Sequence, residues 1–228
     1  MTTELRRSGR SPGATRLRRF IRPADPATEA TGADLAGCEL CGQPLPETHG
    51  HLVDLHQRGI ACVCPACRLL FQPGSDSGLR YRSVPDRYRY RPQPKLTDGL
   101  WHRLGVPVGL AFCFYNSTLE QPVVVYPSPA GPTEAELSTH TWPDLVAAEP
   151  LLAQLQPDVE AVLVNRVADP AGARYETFLI PIDVGYQLVG LIRQYWRGFD
   201  GGQEAWQEIH RFLATLRERA EWVGEADA

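Results

Sequence analysis

The chain has 228 residues, 43% of them hydrophobic and 22% charged, with a formal net charge of -4 at neutral pH. That size and composition exclude a wholly disordered chain and leave room for one good core, or for a main domain with a small module beside it. The weak negative charge excludes a general pull toward nucleic acid or anionic membrane, so partners must be read from local features.

Residues 1–37 read as a flexible Arg/Pro-rich arm and linker. "MTTELRRSGRSPGATR" has no hydrophobic periodicity, which predicts a mobile arm. Arg6, Arg7, Arg10, Arg16, Arg18, Arg19 and Arg22 form the one basic cluster of the sequence, and we read it as a solvated arm in preference to an anionic docking tail. The twin arginine in "RLRRFIRP" is followed by Pro23 and a polar run where an export signal needs an apolar segment. The longest apolar run, Val106 to Tyr115, is about half the length of a membrane-spanning helix and reads as a buried strand. A reducing cytoplasm is the expected compartment, with cysteines free to bind metal.

Residues 38–71 carry the strongest signal. "CELCG" supplies Cys38 and Cys41, and "IACVCPACRLLF" supplies Cys62, Cys64 and Cys67. Between them "HLVDL" and "GIACVC" predict a hairpin, and "CPACRLLF" can open a helical turn. Knuckle, hairpin and second cysteine pair entering a helix is the order of a treble-clef or ribbon-like zinc module, and a unit this small needs such a staple. Two C-x2-C pairs suit one Zn2+ held by Cys38, Cys41, Cys64 and Cys67, with Cys62 or His51 as alternates. His49, His51 and His56 lie in the hairpin region, where a three-cysteine, one-histidine variant is conceivable. Fe in a rubredoxin-like knuckle pair is the alternative cofactor, weakened because Arg68 stands where the second knuckle has its glycine. An HNH-like nuclease would also place a histidine on such a hairpin, but "RLLFQPG" lacks the second metal-binding His or Asn that chemistry needs.

Residues 72–95 form an extended Pro/Tyr/Arg connector, "QPGSDSGLRYRSVPDRYRYRPQPK". Alternating rings and guanidinium groups suit a single-stranded nucleic-acid surface, yet they equally suit a segment lying across its own domain, rings inward and arginines outward. The prolines and the negative total charge favour the second, and nucleic acid is the less expected partner.

Residues 96–222 predict an α+β domain. Thr97 caps a short helix "LTDGLWHRL"; "VGLAFCFYN" and "PVVVYPS" are strands; a helix "TWPDLVAAEP" starts behind Thr141. "VEAVLVNRV" and "RYETFLIPI" follow as strands around the turn "ADPAGA", and two helices, "DVGYQLVGLIRQYW" and "QEAWQEIHRFLATLRERA", close the chain. In the last helix Trp206, Ile209, Phe212, Leu213 and Leu216 make one apolar stripe. The expected architecture is a mostly antiparallel four-stranded sheet covered by helices on one face.

Outside the cysteine module the sequence offers no Walker loop, dinucleotide-binding glycine pattern, nucleophile elbow or HExxH, so no catalytic residue is assigned and enzymatic activity is not expected. Cys113 reads as an inert buried thiol, and His102, His140 and His210 as surface or satisfied histidines. Asn116 in "NST" ends a buried strand and is discounted as a glycosylation acceptor. Asp183 and Asp200 suit helix caps and turns.

"CELCGQPL", "HLVDL", "CVCPACRLLF", "RYRSVPDR", "VGLAFCFYNS", "PDVEAVLVNR", "PIDVGYQLVGLIRQYWRGFDGG" and "AWQEIHRFLATLR" together resemble an uncharacterised bacterial family, a domain of unknown function whose genes tend to accompany those of high-affinity, oxygen-tolerant nickel-iron hydrogenases. The likeness spans about Arg19 to Ala220 and brings no functional residues beyond the cysteine pattern. It implies an accessory role, with hydrogenase subunits or their maturation factors as protein partners.

Overall fold

The structure, a computed structural model, describes residues 37–72, 80–138, 140–167, 169, 172–198 and 200–224. The arm and its basic cluster lie outside the described residues, as do parts of the connector and of the "ADPAGA" turn. The described residues form one compact unit.

The cysteine region is built first. Strands β1 (Gly50–Asp54) and β2 (Gly59–Val63) pair antiparallel as the predicted hairpin, and α1 (Pro65–Leu69) follows directly. The connector then contributes β3 (Tyr81–Ser83), which adds to the other edge of β1 and completes a three-stranded sheet in the order β2-β1-β3. Its next strand, β4 (Arg89–Arg91), belongs to the main sheet. The segment is therefore divided between two sheets.

After α2 (Asp98–Arg103), β5 (Leu110–Asn116), β6 (Gln121–Ser128) and β7 (Gly131–Ala135) run as an antiparallel meander. Helices α3 (Thr141–Ala148) and α4 (Leu151–Gln154) lead to β8 (Glu160–Val167) and β9 (Arg174–Pro181), the longest pairing among the described residues. Helices α5 (Ile182–Tyr195) and α6 (Gly202–Arg219) follow, and β10 (Glu221–Trp222) ends the described chain. The α+β class stands, but the main sheet has seven strands and not four, in the order β10-β4-β9-β8-β5-β6-β7. All pairs are antiparallel except β10 with β4.

The sheet is covered on both faces, which corrects the one-face expectation. On one side Phe112, Leu163, Phe178 and Ile180 pack under Leu188 and Ile192 of α5 and Ile209 and Leu213 of α6. On the other, Ala111, Cys113, Val162 and Leu179 meet Trp101 of α2, Leu145 of α3 and Leu151 of α4. Strands buried on both faces read as continuous apolar runs, which is why "LAFCFY" and "VEAVLV" lack alternation. Gly185 permits the closest approach of α5, since a Cβ there would lie 3.1 Å from the Phe112 ring.

Two local expectations also shift. Thr141 is the first buried residue of α3, and His140 precedes it without a side-chain cap. Trp206 is 43% exposed; the stripe α6 buries is Ala205, Ile209, Leu213 and Leu216. The Trp206 indole N–H instead donates to the Asp200 carbonyl at 2.8 Å. Thr97 caps α2 as expected, its hydroxyl accepting from Leu100 N–H. Among the described residues no helix is long and apolar enough to cross a membrane.

Candidate metal centre

The first cysteine pair sits in a tight turn closed by its own backbone. Cys38 N–H donates to the Gln43 carbonyl and Gly42 N–H to the Cys38 carbonyl, each at 2.7 Å. Gly42 takes φ +75°, a left-handed conformation that glycine adopts without steric cost. The second pair uses a different device. Cys64 is the N-cap of α1 and Cys67 lies one turn in, its N–H donating to Cys64 Sγ at 3.5 Å. Arg68 continues the helix, its N–H bonded to the Cys64 carbonyl at 3.0 Å, so no glycine is needed there.

These two turns bring the four sulfurs of Cys38, Cys41, Cys64 and Cys67 within 4.8 Å of one another. Cys41 Sγ and Cys64 Sγ are 3.7 Å apart, where a tetrahedral ion with metal–sulfur bonds near 2.3 Å sets sulfurs about 3.8 Å apart. Leu45, Leu52 and Val63 pack around the group, and all six cysteines of the chain are free thiols. Burial opposes ionisation of Cys38, but N–H groups of Cys64, Cys41 and Leu40 outweigh it and bring the thiol down to about 6. Cys67 moves the other way, to about 12, through its hydrogen bond with Cys41 and then through burial. One thiolate is tolerated and the next is resisted; a divalent cation is what lets such a group ionise together. The four cysteines can therefore hold a metal ion.

Cys62 and His51, the predicted alternates, do not join this group. β2 ends at Val63 and the chain turns at Cys64, while the hairpin register sets Cys62 directly opposite His51. With His49, two residues before His51, they form a second group whose donor atoms lie within 4.8 Å of one another. Burial, with the carboxylates of Glu39 and Asp183, pushes the Cys62 thiol up. His56 is exposed beyond the end of β1, where its N–H donates to Asp54 Oδ1 at 2.9 Å. Sequence reasoning missed the second group because it weighed these residues only against the four cysteines. The signal was present: His-x-His on one strand, and a cysteine placed across from it by the hairpin register.

A family profile described as "Family of unknown function (DUF5947)" matches residues 37–220. The chain belongs to this family. The match takes in both cysteine pairs and every strand of the main sheet except β10, and it carries no activity and no link to hydrogenases. No curated protein and no solved structure matches the chain.

Polar groups of the connector bond within the chain. The connector's guanidinium groups do not simply point outward. Arg80 bonds Asp54 at 2.7 Å, Arg82 bonds Asp158 at 2.7 Å, Arg89 reaches Gln154 Oε1 at 2.6 Å, and Arg91 is buried. Arg87 Nε and Nη2 donate to the two oxygens of Glu160 at 2.8 and 2.5 Å. The rings turn inward as expected, Tyr90 stacking on Phe178 at 4.8 Å. A cleft of about 700 Å³ lies between the hairpin and the main sheet, lined by Val53, Ile60, Phe114, Ile182 and Tyr186. Its carboxylates are paired: Asp54 with Arg80, Asp158 with Arg82 and Glu134 with Arg58.

The remaining residues singled out in the sequence lie outside both groups. Cys113 is fully buried, which pushes its thiol up to about 12. His102, His140 and His210 are exposed. Asn116 Oδ1 accepts from the N–H groups of Thr118 and Leu119, making a turn. Asp200 Oδ1 accepts from Gly202 N–H at 3.2 Å. Asp183 is not the cap of α5; it faces the hairpin, its Oδ2 lying 3.0 Å from His51 Nδ1.

Proposed function

We propose that this protein is a non-catalytic accessory protein in which one Zn2+, held by Cys38, Cys41, Cys64 and Cys67, staples a treble-clef-like module to an α+β domain that binds a protein partner. The observation that carries the proposal is the convergence of these four sulfurs, with the 3.7 Å separation of Cys41 and Cys64. Four protein thiolates fill a tetrahedral zinc and leave no position to activate water, which is the chemistry of a structural site. Zinc binding of about 10–16 kcal/mol then becomes folding energy of the module. The helical placement of Arg68 supports zinc over a rubredoxin-like iron site built from two glycine knuckles.

The partner proposed is the one the resemblance implies, a nickel-iron hydrogenase or its maturation factors. Metal analysis of the purified protein tests the site: zinc in a colourless protein is expected, and iron with a visible thiolate charge-transfer band overturns it. Cys64→Ser should lose this metal and Cys62→Ser should keep it. Co-purification from a host expressing the hydrogenase genes tests the partner, and recovery free of every hydrogenase component rejects that assignment.

A further inference from the structure

We propose that His49, His51 and Cys62 form a second metal site, separate from the four cysteines, for a late first-row divalent ion such as Zn2+ or Co2+. The donors come from both arms of the hairpin. His51 and Cys62 are directly opposed in the ladder, and His49 is two residues from His51, so all three are brought to one side of the β1–β2 pair. The His49 and His51 rings lie edge to face, with centroids 5.0 Å apart.

The hydrogen bonds around the group point the same way. His49 Nδ1 lies 3.1 Å from the Pro46 carbonyl, an acceptor, so this nitrogen carries the proton. That tautomer puts the lone pair on His49 Nε2, which is buried and has no hydrogen-bond partner among the described residues. A buried polar atom without a partner requires an explanation, and a metal ion supplies one. His51 is engaged similarly, Nδ1 against Asp183 Oδ2 at 3.0 Å, with side chains 21% and 13% exposed. A metal-binding histidine usually gives its other ring N–H to a carboxylate or backbone carbonyl, and both histidines are arranged so. The Cys62 backbone N–H donates to Glu39 Oε1 at 2.9 Å, so two carboxylates, Glu39 and Asp183, favour a cation here.

Two imidazoles and one thiolate select borderline transition ions over Mg2+ or Ca2+, which take oxygen ligands. Zinc bonds near 2.0 Å to nitrogen and 2.3 Å to sulfur put donors about 3.3–3.5 Å apart, so side-chain shifts of about 1 Å close the site from its present spread. Three protein donors leave one tetrahedral position for solvent, so this ion exchanges more readily than one held by four thiolates. Asp183 is a positioning residue, acting through His51.

The test is a Co2+ titration of the full chain, stripped with chelator under reducing conditions, followed by visible absorption and elemental analysis. Two equivalents are expected, the second with weaker thiolate-to-cobalt absorption because it has one sulfur against four. His49→Gln and Cys62→Ala should each abolish the second equivalent while the first and the circular dichroism spectrum persist. Asp183→Asn should weaken the second step about 10- to 100-fold and leave the first unchanged. A wild-type protein that binds one equivalent, or a second equivalent that survives both His49→Gln and Cys62→Ala, overturns the proposal. Because the first equivalent is read separately, the outcome does not depend on whether the four cysteines hold zinc or iron.

Discussion

Arg87→Ala is the sharpest probe of how the Tyr/Arg segment is used. The Glu160 side chain is 0% exposed and takes both hydrogen bonds that Arg87 offers it, plus one from Gln156 N–H at 2.7 Å. Removing Arg87 leaves a buried carboxylate with a single backbone donor. Breaking such a pair from one side costs about 3–5 kcal/mol, because the remaining charge can neither reach water nor find a cation. At about 2–4 °C per kcal/mol for a protein of this size, the melting temperature should fall by about 6–20 °C. Glu160→Gln should cost less, since Arg87 is 33% exposed and keeps the Gln154 carbonyl at 2.8 Å. Arg87→Met with Glu160→Leu should recover most of the loss, because an apolar pair removes both the charge and its desolvation. Urea unfolding of the metal-loaded protein measures all three. If Arg87→Ala lies within about 0.5 kcal/mol of wild type, the range of an ordinary surface change, the guanidinium is free and the argument that its pairing with Glu160 holds this segment is wrong.

Other outcomes follow from single contacts. Asp54 is held down to about 2 from an ordinary 3.8, chiefly by hydrogen bonds from Arg80. A depressed carboxyl stabilises the fold above its unfolded value and loses that contribution as the pH falls from about 4 to 2, so Arg80→Gln should move the acid limb of a stability–pH curve to higher pH. Gly42→Ala forces a side chain into a left-handed conformation at φ +75° and should cost about 1–2 kcal/mol, read as weaker retention of the first metal against a chelator. Gly185→Leu overfills the contact between α5 and Phe112 and should lower stability by about 1–3 kcal/mol with metal content unchanged. Chelation of the reduced protein should speed amide exchange in β1 and β2 before it affects β8 and β9, whose residues are buried in the main core.

What the sequence disclosed depended on how each residue's environment marks it locally. The hairpin, α1, α2 and the long strands β5, β8 and β9 were legible because strong apolar runs are bounded by turns and caps. β3 and β4 were not, because three residues flanked by prolines and arginines carry no periodicity; their strand state comes from β1 and β9, far along the chain. β7 is an edge strand with the sequence "GPTEA", and only its pairing with β6 defines it. On the second face α2 and α3 are visible in the sequence as helices, whereas the four-residue α4 is not, and "LAFCFY" is buried on both sides where one covered face is expected. Trp206 fits a helical stripe by spacing, but its ring lies beside Trp196 and His210 at the margin of the helix. At the cysteines the grouping of four was readable from C-x2-C spacing, whereas the His49, His51 and Cys62 group needed the hairpin register.

That register also explains why the cysteine module and the main sheet form one unit. In β1 the alternation sends Leu52 toward the four cysteines and Val53 into the core beneath α5, so one strand serves two cores. Val84, just after β3, joins the same core, and its N–H donates to the His51 carbonyl at 3.0 Å. Arg68 of α1 reaches across to the Val84 carbonyl at 2.8 Å. The four-cysteine group thus fixes one side of the three-stranded sheet, and the apolar contacts and the His51–Asp183 pair fix the other. A metal bound by the cysteines would hold the hairpin in the conformation that presents Val53 and Ile60 to the cleft and His51 to Asp183. On the proposed reading, an ion at the four cysteines would thereby steady the strand that carries His51 and one wall of the cleft.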